Sequence, residues 1–515
     1  MSESCAHADC VGARLEGEHC LEHLTPVEFD AAVTRLRNGA PLQARNTTLS
    51  AERLRALLDA LCVNEHPVLP AADFQGATLT RGADFHGATF SSYADFEDAT
   101  FGDIQADFDG VTFSDDANFE GATFRGAGFY RATFRSDACF VGATFSDHAD
   151  FRESTFSRTA TFYSATFSRD ANFARATFEH ARELGPMSVG LGPMTFDERL
   201  VLDDCVFLER IRLDVTARGL SARGTTFAAG ALMRVGWAEI ALDNADFARP
   251  STLSAAPDWD ETTDLPPVRA DDHLLGPAPR LVTLRGAHVA ALSISNVDLR
   301  ACRFFGAHGL ESLTIEAGCR WPRAPSGRRY ADRETIAEEY SWRHWNDPNT
   351  QPSVWFKGDD DTDPLTPTQI AGLYRALRKA REDAKDHAGA SDLYYGEMEM
   401  RRHAAPTWHG LPRGDRALLR LYWLTSGYGL RPARTLAALA TTLLVGAGLL
   451  CWFGFHDPRT YGRSLLFAIE SSISLLRPPE TKLSAGGEIV QITLRLLGPL
   501  LFGLALLAIR ARIKR

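Results

Sequence analysis

Three cysteines and one histidine near the N-terminus have the residue types and spacing of a structural metal site: Cys5, Cys10, Cys20 and His23. Three thiolates and one imidazole suffice for a tetrahedral zinc ion. A segment as short as residues 1–25 cannot bury a hydrophobic core, so a metal would stabilise it. The sequence therefore predicts that these four residues bind structural zinc, with His7 or His19 as a substitute for one ligand. Reduced thiols in a frayed terminus are the alternative.

The other residues with reactive side chains form no recognisable catalytic motif. Six of the nine cysteines are scattered singly, and so are the fifteen histidines. Nucleotide-binding glycine motifs and the Gly-x-Ser-x-Gly elbow are absent from the sequence. Glu397 and Glu399 lie two residues apart on a predicted helix, so their carboxylates point to different faces. The sequence therefore favours a protein that is not an enzyme.

Residues 26–66 are predicted to form a helical cap that follows the metal-binding segment. Pro26 comes directly after Thr25 and suits the first position of a helix. Ser50 precedes a second segment with leucines at helical spacing. Such a cap would cover the open strand edges and the apolar end of a repeat domain.

A short motif repeats every five or six residues between Ala71 and Phe178. Three successive copies are Ala83-Asp84-Phe85, Ala88-Thr89-Phe90 and Ala94-Asp95-Phe96. Steps of five and six fit neither a helix face nor a single alternating strand. They fit a solenoid in which Phe and Ala point inward, while Asp, Asn and Thr face outward or bond to the corners. A disordered tract is the alternative, but it would lack the regularly spaced apolar side chains.

The motif Ala-(Asp/Asn)-Phe-x-x resembles the pentapeptide-repeat proteins, in a variant with Phe at the centre. The resemblance implies a mainly β fold, a right-handed quadrilateral β-helix with about twenty residues per coil. Alternating steps of five and six adjust this to roughly 22 residues per coil, with an extra residue at every second corner. The N-terminal Cys/His pattern is similar to zinc knuckles that precede repeats in such bacterial proteins.

The regular β-helix is predicted to cover residues 67–180 and to continue in degenerate form over residues 181–320. Short apolar triplets support the continuation, and loops are expected at residues 183–198 and 249–279. A separate β-domain is the alternative. Residues 321–410 are predicted to form a linker and an amphipathic helical hairpin. Its first helix is expected to end at Gly389.

Residues 411–515 are predicted to form a membrane domain. Residues 435–455 and 489–509 are each long and apolar enough to span a bilayer, and residues 461–476 suit a re-entrant or surface helix. Arginines precede the first span and follow the second. The positive-inside rule therefore places both termini in the cytoplasm. Arginine outnumbers lysine about tenfold, which is typical of a GC-rich bacterial genome, so the expected location is a bacterial cell membrane.

The order of span, short helix, loop and span weakly resembles two-span cation channels. Those channels line a selectivity filter with backbone carbonyls of a Thr-Val-Gly-Tyr-Gly-like run. The corresponding residues here run from Leu476 to Thr481 and do not match it, which argues against potassium selectivity. Arg495 within the second span either lines a pore or extends toward the outer surface.

Three functions are compatible with these features. The first is a membrane-anchored scaffold whose acidic solenoid binds an unidentified cytoplasmic protein. The chain has a formal net charge of −11, and residues 70–180 hold 17 acidic residues against eight arginines and no lysine. The second is an ion channel gated by the solenoid, which must be a homo-oligomer because two spans cannot enclose a pore. The third is a DNA-mimicking rod that binds topoisomerases, an activity of some pentapeptide-repeat proteins. Attachment to a lipid bilayer disfavours the third, and a nucleic-acid partner is not expected.

Overall fold

The computed structural model describes residues 4–7, 10–81, 83–179, 190–256, 278–316, 318–324, 333–346, 365–404, 413–456, 460–473 and 483–513. These residues form two compact units, one within residues 1–322 and one within residues 323–515. The first unit is a β-solenoid that begins with two helices, α1 (Pro26–Arg37) and α2 (Ala51–Ala60). Thr25 and Glu28 form a capping box at the start of α1, and the Ser50 side chain caps α2.

The strands of the solenoid pair in parallel and form four sheets within the described residues. Sheet A consists of Leu42–Gln43, Ala72–Asp73, Ala94–Asp95, Ala117–Asn118, Ala138–Cys139 and Ala160–Thr161. Sheet B consists of Ala106–Asp107, Ala127–Gly128, Ala149–Asp150, Ala171–Asn172, Arg199–Val201, Gly219–Ser221, Glu239–Ala241 and Arg280–Thr283.

The other two sheets are longer, and one of them contains an antiparallel pair. Sheet C consists of Cys62–Val63, His66–Leu69, Thr89–Phe90, Thr112–Phe113, Thr133–Phe134, Thr155–Phe156, Thr177–Phe178, Val206–Phe207, Thr226–Phe227 and Asp246–Phe247. Its first two strands are the antiparallel pair. Sheet D consists of Thr48–Leu49, Thr78–Leu79, Thr100–Phe101, Thr123–Phe124, Thr144–Phe145, Thr166–Phe167, Gly190–Phe196, Ile211–Thr216, Ala231–Gly236, Ser251–Ala255, Leu292–Ser295 and Thr314–Ile315. Handedness and a square cross-section stay predictions.

The pairing register gives the length of each coil. In sheet C, Thr133 pairs with Thr155 and Thr155 with Thr177, so these two coils are equal and have the predicted length. Thr177 then pairs with Val206, so the next coil contains more residues than its neighbours. Val206 in turn pairs with Thr226, which closes a coil slightly shorter than the regular ones. The coil length therefore changes along the solenoid while the parallel pairing is kept.

Corners of two kinds explain the alternating steps of five and six residues. At a five-residue step such as Phe96 to Phe101, the Ala99 N–H donates to the Phe96 carbonyl oxygen at 3.0 Å, and Asp98 has a positive φ of 54°. This hydrogen bond closes a tight turn. The six-residue steps, such as Phe90 to Phe96, carry their extra residue at the corner between two such turns.

Phenylalanine rings fill the interior of the described coils in four columns. Ring centroids within a column are 4.4–5.5 Å apart, close to the spacing of about 4.8 Å between paired strands. Neighbouring columns meet edge to face, as where Phe108 and Phe119 lie 5.6 Å apart at 86°. The columns are Phe74-96-119-140-162, Phe85-108-129-151-173, Phe90-113-134-156-178-207-227-247 and Phe101-124-145-167-196.

The acidic residues of the repeat have a structural role at the corners. The carboxylate of Asp107 accepts a hydrogen bond from the backbone N–H two residues later at 2.9 Å, and Asp95 does the same at 3.0 Å. Asn118 makes the equivalent bond at 3.1 Å. These are Asx turns, which any short side-chain carbonyl can form. The acidity of the repeat therefore follows in part from turn geometry.

Glycine at one tight corner allows the neighbouring coil to approach closely. Gly121 has a φ of 66°, and a Cβ atom there would lie 2.3 Å from Oδ1 of Asp98. Gly142 occupies the same corner one coil later with a φ of 64°, but a Cβ there would meet nothing within 4 Å. We expect Gly142→Ala to lower the free energy of unfolding by about 1 kcal/mol through backbone strain alone. Gly121→Ala should lower it further, because Asp98 must move as well. Urea unfolding of both variants tests this, and equal losses would contradict it.

The solenoid departs from the sequence-based expectation at three places. Its first strands, Leu42–Gln43 and Thr48–Leu49, lie between α1 and α2, inside the segment predicted to be purely helical. The loop predicted at residues 183–198 contains the strand Gly190–Phe196, and the loop predicted at 249–279 contains Ser251–Ala255. Residues 180–189 and 257–277 lie outside the described part.

The second unit is helical. Its helices are α3 (Ala337–Asn346), α4 (Pro367–Asp383), α5 (His387–His403), α6 (Arg413–Ser426), α7 (Pro432–Leu449), α8 (Tyr461–Ile473) and α9 (Ala485–Ile513). A π-helical turn, Leu450–Gly454, extends α7. Helices α4 and α5 pack against each other as a hairpin.

The first helix of the hairpin ends earlier than predicted. Helix α4 opens at a capping box of Thr366 and Gln369 but ends at Asp383, and Lys385 follows with a positive φ of 62°. Gly389, the predicted stop, lies in the first turn of α5, where its N–H donates to Asp386 Oδ1 at 3.0 Å. The prediction was wrong because Gly389 lies at the start of α5, where the lack of a side chain leaves room for the capping carboxylate of Asp386. A Cβ there would lie 2.5 Å from the Asp386 carboxylate.

Candidate metal centre and membrane hairpin

A short helical turn brings two of the predicted metal ligands together. Leu21–His23 forms a single 3₁₀ turn, in which the His23 N–H donates to the Cys20 carbonyl oxygen at 3.0 Å. Leu21 is fully buried, which fixes the turn in place. Cys20 and His23 therefore present their side chains to the same side, as a Cys-x₂-His spacing requires.

The predicted ligands Cys5, Cys10, Cys20 and His23 form one cluster. All four ligand atoms lie within 4.8 Å of one another. The Cys10 and Cys20 sulfurs are 3.7 Å apart, and Nδ1 of His23 lies 3.3 Å from Cys20 Sγ and 3.6 Å from Cys5 Sγ. Tetrahedral zinc, with bonds of about 2.0–2.3 Å, holds its ligand atoms roughly 3.5–3.8 Å apart. The cluster therefore has the donor set and the dimensions of a site that could bind a metal ion.

The surroundings of the thiols also suit a cation. Burial opposes ionisation of Cys5, but the backbone N–H groups of Cys20 and His7 and the side chain of His23 lower the pKa of the Cys5 thiol to about 6. Cys20 is fully buried, and burial raises the pKa of its thiol to about 12. A bound cation would supply the positive charge that a buried thiolate at Cys20 requires.

Hydrogen bonds attach this segment to the first coil of the solenoid and to α2. The Ala13 N–H donates to the Arg45 carbonyl oxygen at 2.8 Å. The Glu22 carboxylate accepts from the Ser50 N–H at 2.9 Å, and Arg53 donates to the Glu22 carbonyl oxygen at 3.1 Å. A metal bound by the cluster would therefore also strengthen the N-terminal end of the solenoid.

The two substitute ligands proposed from the sequence lie elsewhere. Nδ1 of His19 is 3.0 Å from the Glu28 carboxylate, which raises the pKa of His19. Backbone bonding to Thr25 and the contact with His19 lower the pKa of Glu28 to about 2. His7 stacks on His23 with ring centroids 4.0 Å apart. His7 therefore orients the His23 ring, and neither His7 nor His19 belongs to the cluster of four.

Comparison with known protein families bears on the solenoid. Residues 140–182 match the family model described as pentapeptide repeats (nine copies). The matched segment includes Phe140 and Phe162, which stack in one column, and Phe151 of the neighbouring column, which meets Phe140 edge to face. The solenoid therefore contains pentapeptide repeats. No curated protein matches the chain.

The helices that follow the pentapeptide-repeat solenoid include two that are long and apolar enough to cross a membrane. They are Pro432–Gly454 and Ala485–Arg510. A Cβ on Gly487 would lie 2.1 Å from the Gly454 carbonyl oxygen, and one on Gly446 would lie 2.8 Å from Leu494. The end of α7 thus lies beside the start of α9, so the two helices are antiparallel. Small residues allow this close approach, as in helix pairs within membranes.

Helix α8 packs against both long helices. Phe467 and Ala468 of α8 form a buried cluster with Ala447, Leu450 and Leu494. Gly498 of α9 faces Ser472, since a Cβ there would lie 2.5 Å from Ser472 Cβ. Helix α8 begins at Tyr461, where the predicted segment 461–476 begins, and residues 474–482 lie outside the described part. The residues compared with a selectivity filter, Leu476–Thr481, lie outside the described part.

Several polar side chains of α8 and α9 lie in this apolar bundle. Ser471 Oγ and Gln491 Nε2 are buried and have no hydrogen-bond partner among the described residues. Glu470 is exposed on the outer face of α8. Arg495 is half-buried within α9. Polar groups in such a bundle are costly to bury.

Sequence reasoning missed a buried ionic cluster that joins α3 to the helical hairpin of α4 and α5. Arg333 donates two hydrogen bonds of 2.6 Å to the Glu339 carboxylate, and Nε of Arg343 donates a third at 2.6 Å. The Tyr374 hydroxyl donates to the same carboxylate and accepts from the Ile336 N–H. Burial opposes ionisation of Glu339, but the two guanidinium groups lower its pKa. The spacing of these residues in sequence gives no sign that they meet.

Proposed function

We propose that this protein is a membrane-anchored scaffold. The pentapeptide-repeat solenoid extends into the cytoplasm of a bacterium and offers its outer surface to a protein partner. Helices α7 and α9 span the membrane, and zinc bound by Cys5, Cys10, Cys20 and His23 closes the N-terminal end of the solenoid. This role requires no catalysis, in line with pentapeptide-repeat solenoids, which are typically non-enzymatic.

The exposure of the two long helices carries the proposal. In the most apolar 18-residue stretch of each helix, only 17% is buried in Pro432–Gly454 and 28% in Ala485–Arg510. A helix that is apolar but not covered by protein needs lipid around it. Because α7 and α9 are antiparallel, Arg431 and Arg434 at the start of α7 lie at the same end as Arg510 near the end of α9. The positive-inside rule assigns that end to the cytoplasm.

A charged residue at the exposed positions of these helices tests the membrane anchor. Val445 is 55% exposed on α7 and Leu500 is 58% exposed on α9. We expect the double variant Val445→Asp with Leu500→Asp to make the free energy of membrane insertion less favourable by about 5–7 kcal/mol. Each charge at the centre of a span costs about 2.5–3.5 kcal/mol. The measured quantity is the fraction of full-length protein that pellets with membranes after an alkaline wash.

A matched control separates lipid exposure from general damage to the fold. Leu208 on the solenoid is exposed to a similar extent, at 48%. An exposed substitution in water changes stability by about 0.5 kcal/mol or less, so Leu208→Asp should leave the protein in the membrane pellet. The anchor is wrong if the wild-type chain stays in the supernatant or if the double variant pellets like the wild type.

A second candidate function is an oligomeric channel, and the position of α8 favours it. This short helix packs between α7 and α9 and brings the buried Ser471 to the bundle while Glu470 faces outward. An outward carboxylate at this depth would need a partner, which neighbouring copies of the chain could supply. Native mass of the full-length protein in mild detergent tests this. A monomer would exclude the channel and leave the scaffold.

A further inference from the structure

Helix α6 has an apolar stripe that no described part of the protein covers. Leu418, Leu421 and Leu424 are 67%, 60% and 65% exposed and recur at intervals of three, so they lie along one face of the helix. Such a stripe on a soluble surface would be unusual. Its position just before α7 suggests what covers it.

Contacts on the opposite face of α6 fix the orientation of the helix about its axis. Leu419, Tyr422 and Trp423 pack toward Tyr395 and Tyr428. The guanidinium carbons of Arg402 on α5 and Arg434 on α7 lie 4.5 Å and 5.1 Å from the centre of the Trp423 ring. These contacts hold α6 against both neighbouring helices, so the leucine stripe must face outward.

The connection to α7 places the stripe beside the membrane span. Only residues 427–431 separate α6 from α7, and Gly427, Tyr428 and Gly429 adopt positive φ values of 55°, 58° and 75°. This tight turn keeps α6 next to the start of the span, and α6 also contacts α9. The stripe therefore lies on a helix that is adjacent to both proposed membrane spans.

The charges around the stripe favour a lipid surface over a second copy of the chain. Arg420 is exposed beside the stripe, and Arg431 and Arg434 lie where α6 meets α7. Arginines at this level suit the anionic headgroups of a cytoplasmic leaflet. Three leucine side chains on one short helix offer far less surface area than the roughly 800 Å² that each partner contributes to a stable protein interface.

We propose that α6 lies in the cytoplasmic interface of the bilayer, with Leu418, Leu421 and Leu424 among the acyl chains and Arg420 at anionic headgroups. This rests on the proposed function, in which α7 and α9 span the same bilayer. An amphipathic helix of this kind inserts its apolar face about 5–10 Å into the headgroup and acyl boundary. Helix α6 thereby links α5 of the cytoplasmic hairpin to the lipid surface.

Site-specific fluorescence in the full-length protein tests the inference. An environment-sensitive fluorescent amino acid is introduced at position 421, or at 415 as a matched control, since Asp415 is exposed on another side of α6. The protein is placed in nanodiscs of phosphatidylglycerol and phosphatidylcholine that carry nitroxide-labelled acyl chains. We expect quenching at 421 to be several-fold stronger than at 415. Equal quenching at the two positions would overturn the inference.

A third labelled position separates this inference from the membrane anchor itself. The same fluorophore at position 445 reports on the span. Quenching at 445 but not at 421 overturns only the placement of α6, whereas quenching at neither overturns the anchor as well. A photo-crosslinking amino acid at position 418 should form crosslinks to lipid. A crosslink to a second copy of the chain would show that protein covers the stripe and would overturn the inference. Arg420→Glu should weaken quenching at 421 in anionic nanodiscs but not in purely zwitterionic ones.

Discussion

Replacing Glu339 by Gln is expected to lower the free energy of unfolding of helices α3, α4 and α5 by about 3–5 kcal/mol. The Glu339 side chain is only 1% exposed and accepts from Arg333 and Arg343, whose side chains are 3% and 10% exposed. The amide removes the counter-charge of the buried Arg333 guanidinium, and it leaves Arg343 with the more distant Glu399 carboxylate at 3.7 Å. Removing one member of a buried ion group costs far more than the group contributes as a whole.

A surface ion pair on the neighbouring helix provides the control. Arg378 and Glu382 on α4 are 3.5 Å apart at intervals of four residues, and the Glu382 side chain is 53% exposed. Glu382→Gln should change stability by about 0.5 kcal/mol or less. Thermal unfolding of both variants, followed by hydrogen exchange of α3, α4 and α5, measures the difference. If the two variants lose equal stability, the Glu339 cluster does not hold these helices together.

Removing the metal is expected to have the largest effect on the N-terminal end of the chain. Structural zinc contributes about 10–16 kcal/mol to the folding of small zinc-dependent segments. We expect the full-length protein to contain one zinc per chain, and Cys20→Ser to lose it, because Cys20 is a fully buried member of the cluster. Protease cleavage should then become much faster between residues 4 and 24 than in the solenoid.

Another cysteine of the first unit serves as the matched control for the metal site. Cys62 is exposed on the strand Cys62–Val63 and is not part of the cluster. Cys62→Ser should keep the full zinc content and the protease resistance of the wild type. Metal analysis of purified wild-type protein decides the matter, since a chain prepared without chelators that contains no zinc would contradict the site.

The repeat could be predicted from the sequence because its determinants are local. Each Ala-Asp-Phe or Ala-Thr-Phe unit places its own ring, turn and outward side chain, so the spacing predicted a solenoid. The length of its regular coils followed once the resemblance to pentapeptide-repeat proteins implied four sides per coil. The four metal-cluster residues could be proposed for a similar reason, since Cys20 and His23 are three apart. That Cys5 and Cys10 join them depends on how residues 4–24 fold back, which their spacing only suggests.

Other features depend on contacts that are distant in sequence and could not be predicted. The first coil begins at Leu42 because Leu42 pairs with Ala72, beyond the whole of α2. Gly389 looked like a helix stop, but the carboxylate of Asp386 makes it the start of α5. The ionic cluster joins Arg333 to Tyr374 across 41 residues. None of these pairings leaves a periodic pattern in the chain.

The longer coil between Thr177 and Val206 shows that this architecture tolerates additional residues within a coil. Phe178 and Phe207 still stack, with centroids 4.7 Å apart, although more chain separates them than separates Phe156 from Phe178. A solenoid coil can thus accept an inserted peptide without disturbing those above and below it. The stretch of chain between Phe178 and Phe207 is therefore a natural place at which evolution or an engineer can graft a recognition loop onto the solenoid.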